Sequence, residues 1–164
     1  MIIVVMGVAG CGKTTVGDAL AQSVGWRFMD ADDFHPPANV AKMAAGTPLE
    51  DDDRWPWLDR IVQELQAMRG ESAVLACSAL KQSYRDRLQR AGDVRFVHLH
   101  GDYDMIAARL AQRMHRYMPP ALLASQFATL EVPGDALNID VAQTVASQVA
   151  SIGAAYGLTS AMTS

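Results

Sequence analysis

The chain has 164 residues, half of them apolar and a fifth charged, which is the composition of one ordinary globular domain. Its formal charge of -4 argues against a broad basic face for nucleic acid, and no apolar run approaches the ~20 residues that span a bilayer. The two cysteines, Cys11 in a glycine-rich loop and Cys77 at the end of an expected strand, speak against a disulfide framework and fit a reducing cytosol.

Ile2-Ile3-Val4-Val5-Met6 is a continuous apolar run, the pattern of a strand buried on both faces. It is too short for a secretory signal and leads straight into a glycine cluster. A helix follows, with Val16, Leu20 and Val24 at four-residue spacing. Arg27 to Asp30 reads as a second, short strand, and Pro36-Pro37 opens a short helix that ends near Gly46. Asp51 to Asp53 cap a longer helix with Leu58, Ile61, Leu65 and Met68 on one face and Gly70 as its stop.

Ala73 to Cys77 is a third buried strand, and the helix after it carries Tyr84 and Leu88. Val94 to Leu99 forms a fourth strand, and Asp104 to Gln112 a helix with Ile106 and Leu110 inward. Leu122, Phe127 and Leu130 mark another helical stretch. Leu137 to Val141 is the last strand, and Val145, Val149 and Ile152 face inward on the last helix. Residues 1–153 thus read as a single domain, and 154–164 as a small polar tail expected to be poorly ordered.

Alternating strands and helices imply an α/β fold with a parallel sheet and helices on both faces. Ligands in such sheets collect beyond the carboxyl ends of the strands. Gly7 to Thr14, Asp30 to His35, Ser78 to Lys81 and Gly101-Asp102 all fall there, so one active site is expected.

Gly7-Val8-Ala9-Gly10-Cys11-Gly12-Lys13-Thr14 fits the P-loop pattern, with a strand before it and a helix after it as the motif requires. Its glycines let successive N–H groups face phosphate oxygens, and the helix N-terminus adds its dipole. Lys13 can reach the β- and γ-phosphates, and the Thr14 hydroxyl can ligate Mg²⁺. Thr15 completes the candidate nucleotide-binding set.

Asp30-Ala31-Asp32 ends the second strand beside this loop, and a spacing of two sends both carboxylates to one side. Either one supports Mg²⁺ while the other accepts a hydroxyl proton, or the pair merely starts a loop. The division we favour makes Asp32 the base and Asp30 the metal residue, because Asp30 stands nearer the P-loop. His35 is ambiguous by itself.

The acidic run Asp51 to Asp53 suits a helix start, but the following Arg54 does not, so an anionic ligand is a second reading there. Ser78-Ala79-Leu80-Lys81 is expected to open a helix at once, putting Lys81 and Arg85 one turn apart. That is either a cationic pocket or a solvated helix face. Arg109, Arg113 and Arg116 run into the proline-bounded stretch Tyr117-Met118-Pro119-Pro120. A lid over ATP, at about residues 112–125, competes there with an exposed helix end. Met114, Tyr117 and Met118 read as packing residues.

Taken together these segments resemble the gluconokinases. The likeness lies in Met6 to Lys13, Asp30-Ala31-Asp32-Phe34-His35-Pro36, Asn39 to Met43, Pro48-Leu49-Asp52-Asp53-Arg54-Trp57-Leu58, Cys77 to Lys81, Tyr84-Arg85-Asp86 and Gln126-Phe127-Thr129-Leu130-Glu131. It covers the chain to about Ile152 and is more specific than the P-loop alone. It implies a nucleoside-monophosphate-kinase-like fold with a substrate segment at about 32–60 and a lid. It also implies ATP- and Mg²⁺-dependent phosphorylation of D-gluconate to 6-phosphogluconate.

By the same resemblance Lys13, Asp32 and Arg113 are catalytic, and Asp32, His35, Arg54, Ser78, Lys81 and Arg85 bind the acceptor. Homodimers are known in that family, although nothing in the composition shows one here. The lid departs from the family's Arg-x-x-His-(Phe/Tyr) pattern, since Arg116 stands at the histidine position. Shikimate kinases share the P-loop and Asp-x-Asp but have a glycine-rich segment where this chain has Ser78 to Lys81. A nucleotide switch with no acceptor is the alternative of a different class, and it would need no Asp32.

Overall fold

A computed structural model of the chain describes residues 1–112 and 120–161. Five parallel strands form one sheet in the order β2-β3-β1-β4-β5. They are β1 (Ile2–Met6), β2 (Arg27–Asp30), β3 (Ala73–Ala76), β4 (Val94–His100) and β5 (Leu137–Asp140). β1 and β3 are buried at every position, as strands covered on both faces must be. The edge strand β5 is half-buried or exposed except at Ile139.

Seven helices accompany the sheet among the described residues. α1 (Lys13–Val24) packs against β3 and against α7 (Val145–Tyr156). α2 (Pro37–Ala44) is short, and α3 (Asp51–Ala67) buries Trp57, Leu58, Ile61, Val62 and Leu65. α4 (Gln82–Leu88) lies on α3, and α5 (Tyr103–Ala111) lies beside α6 (Pro120–Thr129). The register sets Val5 level with Ala76, and Ala76 level with Asp30. The segments leaving β1, β2 and β3 therefore emerge side by side on one rim, which is where the site forms.

The structure departs from the sequence reading at four places. α3 is capped one residue earlier, by Glu50, in a reciprocal capping box with Asp53, and Asp51 to Asp53 occupy its first turn. α4 begins at Gln82 rather than Ser78, because Ala79 takes a left-handed φ of 45° through which an α-helix cannot run. Val145 faces solvent at the first position of α7, while Gln148 is buried and donates to the Gln143 carbonyl at 3.0 Å.

The expected loose tail is attached as far as Ala161. α7 continues through Gly153, the Tyr156 hydroxyl donates to the Phe96 carbonyl (3.1 Å), and the Ala161 N–H donates to the Ser23 carbonyl (2.8 Å).

Candidate active site

The phosphate loop turns between β1 and α1 with geometry that only glycine tolerates. Gly7 has a φ of 147°, and a Cβ there would stand 2.7 Å from the Leu99 carbonyl oxygen. Gly12 caps α1 in the left-handed region. Val8 and Cys11 are buried and hold the loop from beneath, while Ala9, Gly10, Gly12, Lys13 and Thr14 face an open cleft. Thr15 is exposed and does not line that cleft. Lys13 bends back so that Nζ donates to the Val8 carbonyl at 3.1 Å, which keeps the ammonium over the loop.

Thr14 and Asp30 meet across the rim, the hydroxyl donating to Asp30 Oδ2 at 3.1 Å. The other carboxylate oxygen of Asp30 accepts the Asp32 N–H at 3.0 Å and so caps the short 3₁₀ turn Ala31–Phe34. Magnesium takes few protein ligands, and two oxygens at adjacent octahedral positions stand about 3 Å apart. The Thr14–Asp30 pair fits that demand. No cluster of three or more acidic, histidine or cysteine ligands occurs among the described residues.

Asp32, His35, Arg54 and Ser78 line the same cleft, whose floor includes Ala76 and Cys77. Asp32 projects into solvent, with a side chain 68% exposed. His35 is the reverse: its side chain is 4% exposed and stacks on Trp57, with centroids 4.2 Å apart. Burial lowers its pKa to about 4, the nearby Arg54 adds to that, and Asp30 opposes it. The imidazole is therefore neutral at pH 7.

Arg54 reaches the cleft from the first turn of α3. Its Nη1 donates to the Tyr84 hydroxyl at 2.8 Å, and its guanidinium sits 5.2 Å from the Tyr84 ring centroid. That hydroxyl donates in turn to Asp51. The placement resolves why a cation stands at a helix N-terminus, where the dipole disfavours it. Burial pushes the Cys77 thiol up to about 12, so it is no nucleophile at neutral pH.

Two of the expected anion-binding residues are used otherwise. Lys81 pairs with Asp51 at 3.0 Å and does not line the cleft. Arg85 is 2% exposed and donates to the carbonyls of Ala79 (2.8 Å), Leu80 (3.1 Å) and Glu131 (2.8 Å). Arg85 tethers the loop after β3 to the segment following α6, where the Glu131 N–H also donates to the Leu80 carbonyl at 2.8 Å, and it supplies the Ala79 carbonyl with the partner that the left-handed turn denies it.

Gly101-Asp102 also stays apart from the cleft, with Asp102 capping α5 through the Met105 N–H at 2.8 Å. Arg109 donates to the Val141 carbonyl at 2.7 Å. Arg113, His115 and Arg116 lie outside the described residues. Three contributors stand in the segments that carry the gluconokinase resemblance but were given no role there. Gln126 accepts the Ala9 N–H at 2.7 Å, and Trp57 and Tyr84 support His35 and Arg54. Gln126 lies 117 residues from its partner, so no local pattern signals that contact.

Residues 9–127 match the family model of shikimate kinase. The gluconokinase of Gluconobacter oxydans (strain 621H) is 51% identical over 140 residues, covering 81% of this chain and 76% of that protein. A probable gluconokinase of Xenopus tropicalis is 46% identical over 151 residues, covering 81% and 80%. The crystal structure of a gluconokinase from Sinorhizobium meliloti 1021 superposes with a TM-score of 0.86 at 44% identity, over 95% of this chain and 92% of that one. The chain belongs to the gluconokinase family. It does so within the broader shikimate-kinase type of P-loop domain. Every cleft-lining residue, from Ala9 to Gln126, falls inside the span that matches the shikimate-kinase model.

Proposed function

We propose that the chain transfers the γ-phosphoryl group of ATP to a hydroxyl of D-gluconate, giving 6-phospho-D-gluconate and ADP. The carrying observation is the pairing, in one cleft, of a P-loop with a carboxylate, a neutral imidazole and a cation held by Tyr84. A hydroxylated anion needs those three features, and the family's named members are gluconokinases.

In this reading the P-loop N–H groups and Lys13 hold the β- and γ-phosphates. Asp32 orients the attacking hydroxyl and takes its proton as the new O–P bond forms. The bond from the γ-phosphorus to the β-bridging oxygen breaks, and ADP leaves with those electrons. Arg54 pairs with the acceptor's carboxylate, and Ser78 offers a hydroxyl on the cleft wall. Thr14 and Asp30 would hold Mg²⁺, which when bound neutralises phosphate charge. Residues 32–60 form the acceptor segment.

Two free, buried thiols suit a reducing cytoplasm. No helix among the described residues is long and apolar enough to cross a membrane. The test is phosphorus NMR of purified protein with ATP, Mg²⁺ and gluconate. A stoichiometric phosphomonoester matching 6-phosphogluconate supports the reading, and release of inorganic phosphate alone refutes it.

A further inference from the structure

Asn39 lies on α2, is 3% exposed and does not line the cleft, yet a polar side chain so buried needs a full set of partners. Its Nδ2 stands 2.9 Å from the carbonyl oxygen of Asp53 and 3.2 Å from Nδ1 of His35. A main-chain carbonyl can only accept, so the atom facing Asp53 must be the amino group, and the orientation of the amide follows. That amino group has two hydrogens and two neighbours. One hydrogen goes to Asp53, and the other requires a lone pair on His35 Nδ1. In a neutral imidazole the proton then resides on Nε2.

Nε2 lies 3.8 Å from Oδ1 of Asp32, and both residues line the cleft. That gap is too long for a direct hydrogen bond. It admits a hydroxyl oxygen within about 2.8 Å of both atoms. Such a hydroxyl would accept from Nε2–H and donate its own proton to the carboxylate. The opposite tautomer would present two acceptors to a group with one proton.

We propose that Asn39 is a positioning residue that locks His35 as the Nε2–H tautomer and thereby aims the acceptor's hydroxyl proton at Asp32. The second half of this inference rests on the kinase reading above, whereas the tautomer itself does not. Asparagine suits this position and aspartate does not, because a carboxylate has no hydrogen for either neighbour and would call for the proton on Nδ1 instead.

Nitrogen-15 spectra of histidine-labelled protein at pH 7, without substrate, decide the tautomer. A pyrrole-type shift at Nε2 and a pyridine-type shift at Nδ1 of His35 are expected, and the reverse assignment overturns the proposal. The coupling is read from kcat/KM for gluconate. Asn39→Asp should lower it about tenfold or more, the scale of one charge-adjacent hydrogen bond, while moving the His35 proton to Nδ1.

In a His35→Gln background, whose amide always offers an N–H, the same change should cost at most about threefold. Equal losses in both backgrounds, or no loss in the native one, would reduce Asn39 to a packing residue. If Asn39→Asp does not fold, Asn39→Ser carries the same comparison, since its hydroxyl can donate or accept and so removes the lock. A protein with the expected tautomer but no turnover on gluconate would refute the kinase reading and leave the lock standing.

Discussion

Asp30 and Asp32 stand two residues apart yet face different neighbours, Thr14 in one case and His35 in the other. Asp32→Asn keeps the shape but cannot take a proton, so kcat should fall about a hundred- to ten-thousandfold with ATP affinity preserved. Asp30→Asn should instead raise the Mg²⁺ concentration needed for half-maximal rate; an exchange of these two phenotypes would reverse the roles. Lys13→Ala should lower turnover about a hundredfold or more with little shift in melting temperature, since its ammonium donates to a carbonyl of its own loop beside the open cleft.

Arg54→Ala should raise the KM for gluconate roughly ten- to a hundredfold and leave that for ATP nearly unchanged. Steady-state titration of each substrate separates the two, and equal losses for both would remove Arg54 from acceptor binding. Arg54 was legible as an oddity, a cation in an acidic helix start. Its support was not, because Tyr84 lies 30 residues away and is brought close only by α4 packing on α3.

Elements were legible wherever periodicity and burial agree. β1 and α1 stand within a residue of where hydrophobic spacing puts them, because both are buried by the same sheet. The loop from Cys77 to Lys81 was not, since an apolar Ala-Leu pair after a strand gives no sign that Ala79 turns left-handed. That turn also transfers Arg85 from the expected anion site to the carbonyls of Ala79, Leu80 and Glu131. Arg85→Ala should therefore cost about 2–4 kcal/mol of stability by removing the charge-assisted bonds to the Ala79 and Glu131 carbonyls, whereas the Leu80 carbonyl keeps the Glu131 N–H. For a domain of this size that lowers Tm by roughly 4–16 °C. Its KM for gluconate at a temperature where it is folded should stay near native. A variant with unchanged Tm and a much higher gluconate KM would restore Arg85 to the substrate site.

At the scale of the molecule, acid sensitivity has two windows. His35 has a folded pKa lowered from 6.5 to about 4, and His98 is lowered in the same direction, chiefly by burial. The unfolded chain therefore binds more protons, stability rises with pH through this range, and it is lost as pH falls from 6.5 towards 4. Asp51, Asp53 and Asp59, whose carboxyls are held low by hydrogen bonds from Tyr84, Lys42 and Arg87, lose their contribution only as pH falls below 3.8. Melting curves should thus decline already between pH 6.5 and 4, and less steeply in His35→Gln; a flat Tm from pH 7 to 5 would contradict the buried neutral histidine.

The arrangement of the whole cleft, with a P-loop after β1 and a facing wall from α2, α3 and the loop after β3, carries the functional claim. It is tested most directly by giving the purified chain ATP, Mg²⁺ and equal concentrations of gluconate and shikimate in one vessel, and following both phosphorylated products. We expect 6-phosphogluconate to accumulate and shikimate to remain unmodified. Preferential phosphorylation of shikimate, or ATP turnover that neither acceptor stimulates, would contradict the account.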